Sequence, residues 1–325
     1  LMQSIGLEIS RLSGQTVEGY MPPIAALTDE GRDGGVKCAF FGTFDGQGHV
    51  VSNLNIVRMQ NKYAGFFGNV GHDLGEGTVK NLALYNIRIT CLASCGLIVG
   101  GLYGDVENCV AIGSIDCLQK TAGGLAGKMK KNDNGYLGTA RNCFIYADIT
   151  VRGEGGENGA AGGVTSAQSD GGRVYDCYVG GSITVLGEKA ESVGGITGNL
   201  KGGQALENTV MLLKKIDVAD GKTVGLLCGD YSGENGSHLV NNYVWNGTLL
   251  TGSVTSDHPE TAAYSNADTA MLLSKSFYAE TLGWDFDAVW SWVGEDGAGY
   301  PMPRPFAENA ALSGLLAGIQ SDLTV

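Results

Sequence analysis

The stretch "NCVAIGSIDC", residues Asn108 to Cys117, is followed at near-constant distance by "NCFIYADITV" from Asn142 and "DCYVGGSITV" from Asp176. Within each, apolar residues take alternate positions: Cys109, Ala111, Ile115 and Cys117, then Cys143, Ile145, Ile149 and Val151, then Cys177, Val179, Ile183 and Val185. That period belongs to a strand with one buried face. A small residue (Gly113, Ala147 or Gly181) divides each run where the backbone can turn a corner.

Working outward, the same phrase is found at Asn53, Asn81, Asn208 and Asn242, so that seven leading residues stand 28, 27, 34, 34, 32 and 34 apart. A glycine phrase alternates with it: "AGFFG" at Ala64, "GGLYG" at Gly100, "GGLAG" at Gly123, "AGGVT" at Ala161, "GGITG" at Gly194 and "VGLLCG" at Val224. A unit of this size, with short strands and no helical period, cannot bury its apolar face alone, and stacking buries it. The expectation is all-β: a parallel β-helix, or solenoid, of about seven coils. The Asn208 phrase carries Ile216 and Val218 one place late, which predicts a one-residue bulge near Lys214.

The composition agrees. Glycine is 53 of 325 residues and proline only 6, while 43% of residues are hydrophobic and 17% charged, so the glycines punctuate a foldable chain. A net charge of −13 opposes phosphate backbones, and no nucleic-acid partner is expected. No apolar run reaches the length of a membrane span.

The alternation of these two phrases, opened by "FFGTFDGQGHVVSNLNI" (Phe40 to Ile56), resembles the GLUG repeats of bacterial surface and secreted proteins. Such repeats occur in noncatalytic regions of immunoglobulin A-cleaving metallopeptidases and in adhesin-like proteins. The resemblance covers roughly residues 40 to 250. It implies a right-handed coil, a secreted or cell-surface location, membership of a larger surface protein and no fixed catalytic machinery. The departures are Cys228 near an expected glycine and the Asn208 phrase, which lacks the Cys.

The expected organisation is an N-terminal lead-in and cap (1–39), the repeats (40–260), an aromatic C-terminal cap (261–306) and a linker or short helix (307–325). The leading residues Asn53, Asn81, Asn108, Asn142, Asp176, Asn208 and Asn242 are expected to stack as a ladder of side chains bonded to one another. A ligand-binding row of amides is the alternative. Cys109, Cys143 and Cys177 should form one inward column of small hydrophobes. With no C-x-x-C pair and no cluster of the four histidines, neither metal nor cofactor is expected. If a disulfide forms, Cys91 and Cys95 are the place for it.

In "FDGQGH", Asp45 and Gly46 have turn chemistry and read as the first corner of the stack; an acid/base couple of Asp45 with His49 is the competing reading, without any accompanying nucleophile motif. The tail from Ser276 to Phe306 holds three of the four tryptophans. It reads as a plug over the end of the stack, where bare strand edge would otherwise invite aggregation. Trp284, Trp290 and Trp292 beside Asp285 and Asp287 form the alternative, a binding platform for a sugar.

Two functions follow. The first is a noncatalytic exported module acting in adhesion, in binding a host glycan or protein ligand, or as a stalk. The second is a carbohydrate-active enzyme, a lyase or glycosidase, drawing carboxylates from loops that carry Glu154, Glu157, Asp170, Glu188 and Glu191.

Overall fold

A computed structural model describes residues 5–6, 24, 39–59, 63–73, 75–156, 159–169, 172–187, 190–200, 205–219, 224–231, 238–252, 264–312 and 314–323. Its centre is a coil of parallel strands, each course hydrogen-bonded to the next. The longest face is built by Gly42–Ser52 with Asn55–Arg58, then Gly77–Cys91, Val110–Cys117, Phe144–Val151, Tyr178–Val185, Val210–Val218, and Asn242–Trp245 with Leu249–Thr251. A second face is the six-stranded sheet running from Phe67–Val70 to Cys228–Tyr231, and a third is the four-stranded sheet from Thr121–Gly123 to Val224–Gly225. The chain is thus a parallel β-solenoid of about six full turns with a seventh course on the long face. Tyr264–Ala267 pairs with Asn242–Trp245 beyond it.

Alternation inside each course makes columns across courses. Ile56, Ile89, Ile115, Ile149, Ile183 and Ile216 lie in register and are all at most 2% exposed, with Leu250 next above them. Each such side chain contributes about 1.5–3 kcal/mol by leaving water. The column of Cys109, Cys143 and Cys177 is fully buried and continues upward through Thr209 and Asn242. Each thiol donates to the carbonyl two residues back, at 3.1–3.2 Å, and the Thr209 hydroxyl does the same to Glu207 O at 3.1 Å. Asn242 fills its place by donating to Leu206 O and accepting from Thr209 N. Burial pushes the Cys109 and Cys177 thiols well up, which makes them packing groups and not nucleophiles.

The paired glycines of the glycine phrase are required by close approach at a corner. A Cβ on Gly124 would stand 2.1 Å from Gly163 O, and one on Gly163 would stand 2.2 Å from Gly195 O. The register between Tyr178–Val185 and Val210–Val218 skips Lys214, so the bulge falls where the late apolar pair requires it.

The corner ladder differs from expectation at both ends. Asn81, Asn108, Asn142, Asp176 and Asn208 all hold left-handed backbone, φ from 49° to 55°, which Asn and Asp tolerate better than other residues. Asn53 does not stand below Asn81. It sits under Asn86 at the second corner of the course, bonded to the Asn86 amide at 2.7 Å, and Asp45 takes the lowest place, accepting from Asn81 at 3.0 Å. The cause is that "NLNIV" matches "NIRIT" (Asn86 to Thr90) as well as it matches "NLALY" (Asn81 to Tyr85). At the top the ladder residue is Asn241, with φ 55° and an amide donated to Asn208 at 3.0 Å, while Asn242 has turned inward into the thiol column.

Asp176 is the odd member. Burial raises its carboxyl above the usual range, with its bond to Asn208 working the other way. A folded-state pKa above the unfolded value means the ionised form is the disfavoured one in the fold, so Asp176 detracts from stability at neutral pH; the penalty begins to fall as pH drops through the folded pKa and is gone below the unfolded one. Asp176→Asn is therefore expected to raise Tm at pH 7, with the gain shrinking under acid; a thermal-melt series from pH 7 to pH 3 checks it, and a gain independent of pH would contradict it.

The aromatic C-terminal segment is present: its first strand, Tyr264–Ala267, adds to the last course, and the remainder lies along the flank of the coil. The outward residues of the long face are apolar in its first half: Val50, Ala83, Val110, Phe144, Tyr178 and Val210 in register. They need a cover, and the segment supplies one along the whole stack. Trp245 Nε1 donates to Thr269, Trp284 Nε1 to Asn208 O, the Tyr278 ring lies 6.4 Å from Tyr178, Tyr300 lies 5.7 Å from Phe144, and Pro305 reaches Gly48. A short helix, Leu315–Asp322, continues along the same flank. Of the expected lead-in and cap at 1–39, only Ile5–Gly6, paired below Val51 and Ser52, Ile24, bridged to Phe67, and residue 39 are described; the rest lies outside the described residues.

Candidate functional site

The tail tryptophans, whose alternative reading is a sugar platform, serve packing. Trp284 and Trp290 are 4% and 1% exposed and stack on each other at 4.3 Å, so neither offers a ring face to a ligand. Trp292 is half-buried, donating its indole N–H to Glu295 O. Asp285 is exposed but accepts from the backbone N–H groups of Asp287 and Ala288, both at 2.8 Å, and so shapes the turn; Asp287 is exposed. The rings were needed to cover apolar strand faces, a demand that a linear reading of the tail does not reveal.

Asp45 likewise serves structure. Its carboxylate accepts from Gln47 N and Asn81, lies 3.7 Å from Lys80, and is held below the usual range chiefly by the Asn81 bond. Of the loop carboxylates, Glu154 is exposed in the turn Glu154–Gly156; Glu157, Asp170, Glu188 and the Glu191 side chain lie outside the described residues.

Register brings together three sulfurs whose relation the sequence conceals. Cys91 and Cys117 are partners on adjacent courses, and the Cys91, Cys95 and Cys117 sulfurs all lie within 4.8 Å of one another, buried. Cys91 and Cys95 form a disulfide, leaving Cys117 as the single thiol of the group. Burial raises that thiol. With two of three sulfurs bonded to each other, the cluster has too few ligands for a closed structural metal site.

A groove of ligand-sized dimensions, about 390 Å³, lies where the flank cover stops. The long face changes character halfway along each course. Its first half is covered by the aromatic segment, and its second half carries an outward polar row: Arg88, Ser114, Asp148, Ser182 and Lys215 in register. The groove lies between this row and the helix Leu315–Asp322, and is lined by Tyr85, Tyr146, Arg88, Ser114 and Asp148 on the coil side. Gly314, Leu315 and Gly318 form the other wall. Pockets of this size are typical of small-ligand sites.

Its rim is fixed by a polar cluster. Tyr146 donates its hydroxyl to Asp322, which burial raises above the usual carboxylate range. The bulge aims Lys214 so that its ammonium lies 3.9 Å from Asp148 and 3.7 Å from Asp322. Ser182 donates to Asp148. The sequence marked Lys214 as a bulge but gave no sign of this groove, because half of it comes from a helix that an unremarkable, glycine-interrupted stretch provides.

A crystal structure of a candidate immunoglobulin A1 protease from Bacteroides ovatus superimposes with a TM-score of 0.63 at 24% identity, over 81% of this chain and 77% of that one. The likeness establishes a shared fold. Halomucin of Haloquadratum walsbyi is 35% identical over 111 residues, 34% of this chain. The matched stretch is 1% of the length of Halomucin. No family model matches the chain. Among the described residues, no helix is long and apolar enough to cross a membrane.

Proposed function

We propose that this chain is a noncatalytic module of an exported surface protein, a rigid spacer that presents a binding face to glycan or protein ligands. The observation that carries the reading is how the fold uses its polar and aromatic side chains: corner side chains bond to one another from course to course, and buried tryptophans hold the flank. That arrangement suits length and rigidity, as expected of a stalk, and leaves the polar outer half of the long face for contact. The GLUG-type resemblance, the shared fold with a candidate immunoglobulin A1 protease and the similarity to Halomucin all fit an extracellular setting of this kind.

The test pairs two measurements on the purified chain. Arrays of glycans and glycoproteins should retain it above an albumin control. A polysaccharide screen for new reducing ends or unsaturated products should stay at background. Turnover that disappears in Asp148→Asn or Asp322→Asn would replace this reading with an enzymatic one.

A further inference from the structure

We infer that the groove beside the helix Leu315–Asp322 binds a carboxylated sugar residue, of the uronic or sialic acid class. The inference deepens the reading of the chain as a ligand-binding module and rests on it. Three features of the groove converge on that chemistry.

The first is charge. Arg88 is exposed on the groove wall and has no ion-pair partner among the described residues, whereas the neighbouring charges are already engaged: Asp148 with Ser182 and Lys214, and Asp322 with Tyr146 and Lys214. A guanidinium offers a planar fork of donors that fits a carboxylate in two parallel bonds. In a chain of net charge −13, an uncommitted cation at a cavity wall is the group that selects an anion.

The second is the apolar component. Tyr85 and Tyr146 are both half-buried and line the groove, presenting ring surface to the C–H face of a pyranose. Register places the Arg88 row directly beside Ser114 and then Asp148, successive neighbours separated by one strand spacing, about 4.8 Å. A sugar seated against the guanidinium therefore meets a hydroxyl and then a carboxylate that accept from its ring hydroxyls.

The third is space. The helix wall is open because its lining residues include Gly314 and Gly318, and a Cβ built on either would meet nothing within 4 Å. The groove has room that the fold does not use.

That openness also supplies the experiment. Gly318→Trp places an indole at the groove wall from a Cβ that meets nothing within 4 Å and removes a glycine from a helix, so its melting temperature should stay close to that of the unaltered chain. Binding of 3′-sialyllactose and of a galacturonic acid trimer, with lactose as the neutral comparison, is measured by titration calorimetry or ligand-observed NMR. At least one acidic probe should bind at least tenfold more tightly than lactose, and which of the two does so separates the sialic from the uronic source. Both Gly318→Trp and Arg88→Ala should weaken that binding at least tenfold, while Arg88→Lys recovers part of it. Equal binding of acidic and neutral probes, or acidic binding untouched by Gly318→Trp, overturns the inference. If the chain is retained on other array ligands in that case, the module reading survives; hydrolysis of either probe would instead strike at the module reading itself.

Discussion

Gly163→Val is expected to abolish the cooperative fold, or to cost more than the roughly 1–3 kcal/mol typical of overfilling a close-packed position, because part of the clash is with backbone. The cause is local and severe. A Cβ at residue 163 would meet Gly195 O at 2.2 Å and a Val179 methyl at 2.4 Å, one a backbone atom in the next course and the other part of the buried core. Neither can withdraw without parting two courses. Equilibrium urea unfolding followed by circular dichroism measures the loss, and Gly314→Val serves as the contrast, since nothing lies within 4 Å of that position. Equal effects of the two substitutions would remove the corner from the account of why the repeat keeps its glycines.

Trp290→Ala is the second large effect, at about 3–5 kcal/mol for deleting a buried aromatic side chain. Trp290 is 1% exposed, stacked on Trp284, and its strand Trp290–Val293 pairs antiparallel with Tyr300–Pro303. The loss should be regional. Amide hydrogen exchange is expected to accelerate first in the aromatic segment and in the outer faces of Phe144 and Tyr178 that it covers, while the isoleucine column retains protection. Uniform acceleration through the coil would instead mean that flank and coil unfold as one unit.

Much of this architecture can be read from the repeat itself. Alternation in "NCFIYADITV" identifies the inward residues, and the late Ile216 locates the bulge at Lys214, because period-two burial allows no slack in register. What resists reading is whatever depends on a partner distant in sequence. Asn53 was ambiguous because Asn81 and Asn86 each head a similar phrase, and only the pairing of Ser52 with Tyr85 chooses between them. Asn241 and Asn242 are chemically identical, and their division between corner and interior is decided by the Val210–Tyr243 register. The tryptophans illustrate the same limit at larger scale. Nothing in "LGWDFDAVWSW" reveals that Phe144 and Tyr178, more than a hundred residues earlier, point outward and need covering. The groove is harder still to anticipate, since it is defined by Gly314 and Gly318, residues notable for what they lack.

The flank segment has a consequence for how such a chain can change size. A stack of equivalent courses tolerates, in principle, the gain or loss of one, since each presents the same edge to the next. Here, however, a single strap touches the course of Trp245 at one end and the turn at Gly48 at the other, with fixed stations at Asn208, Tyr178 and Phe144 between. It works as a gauge: inserting or excising a course puts those stations out of step, so the rod has a set length although its building block does not.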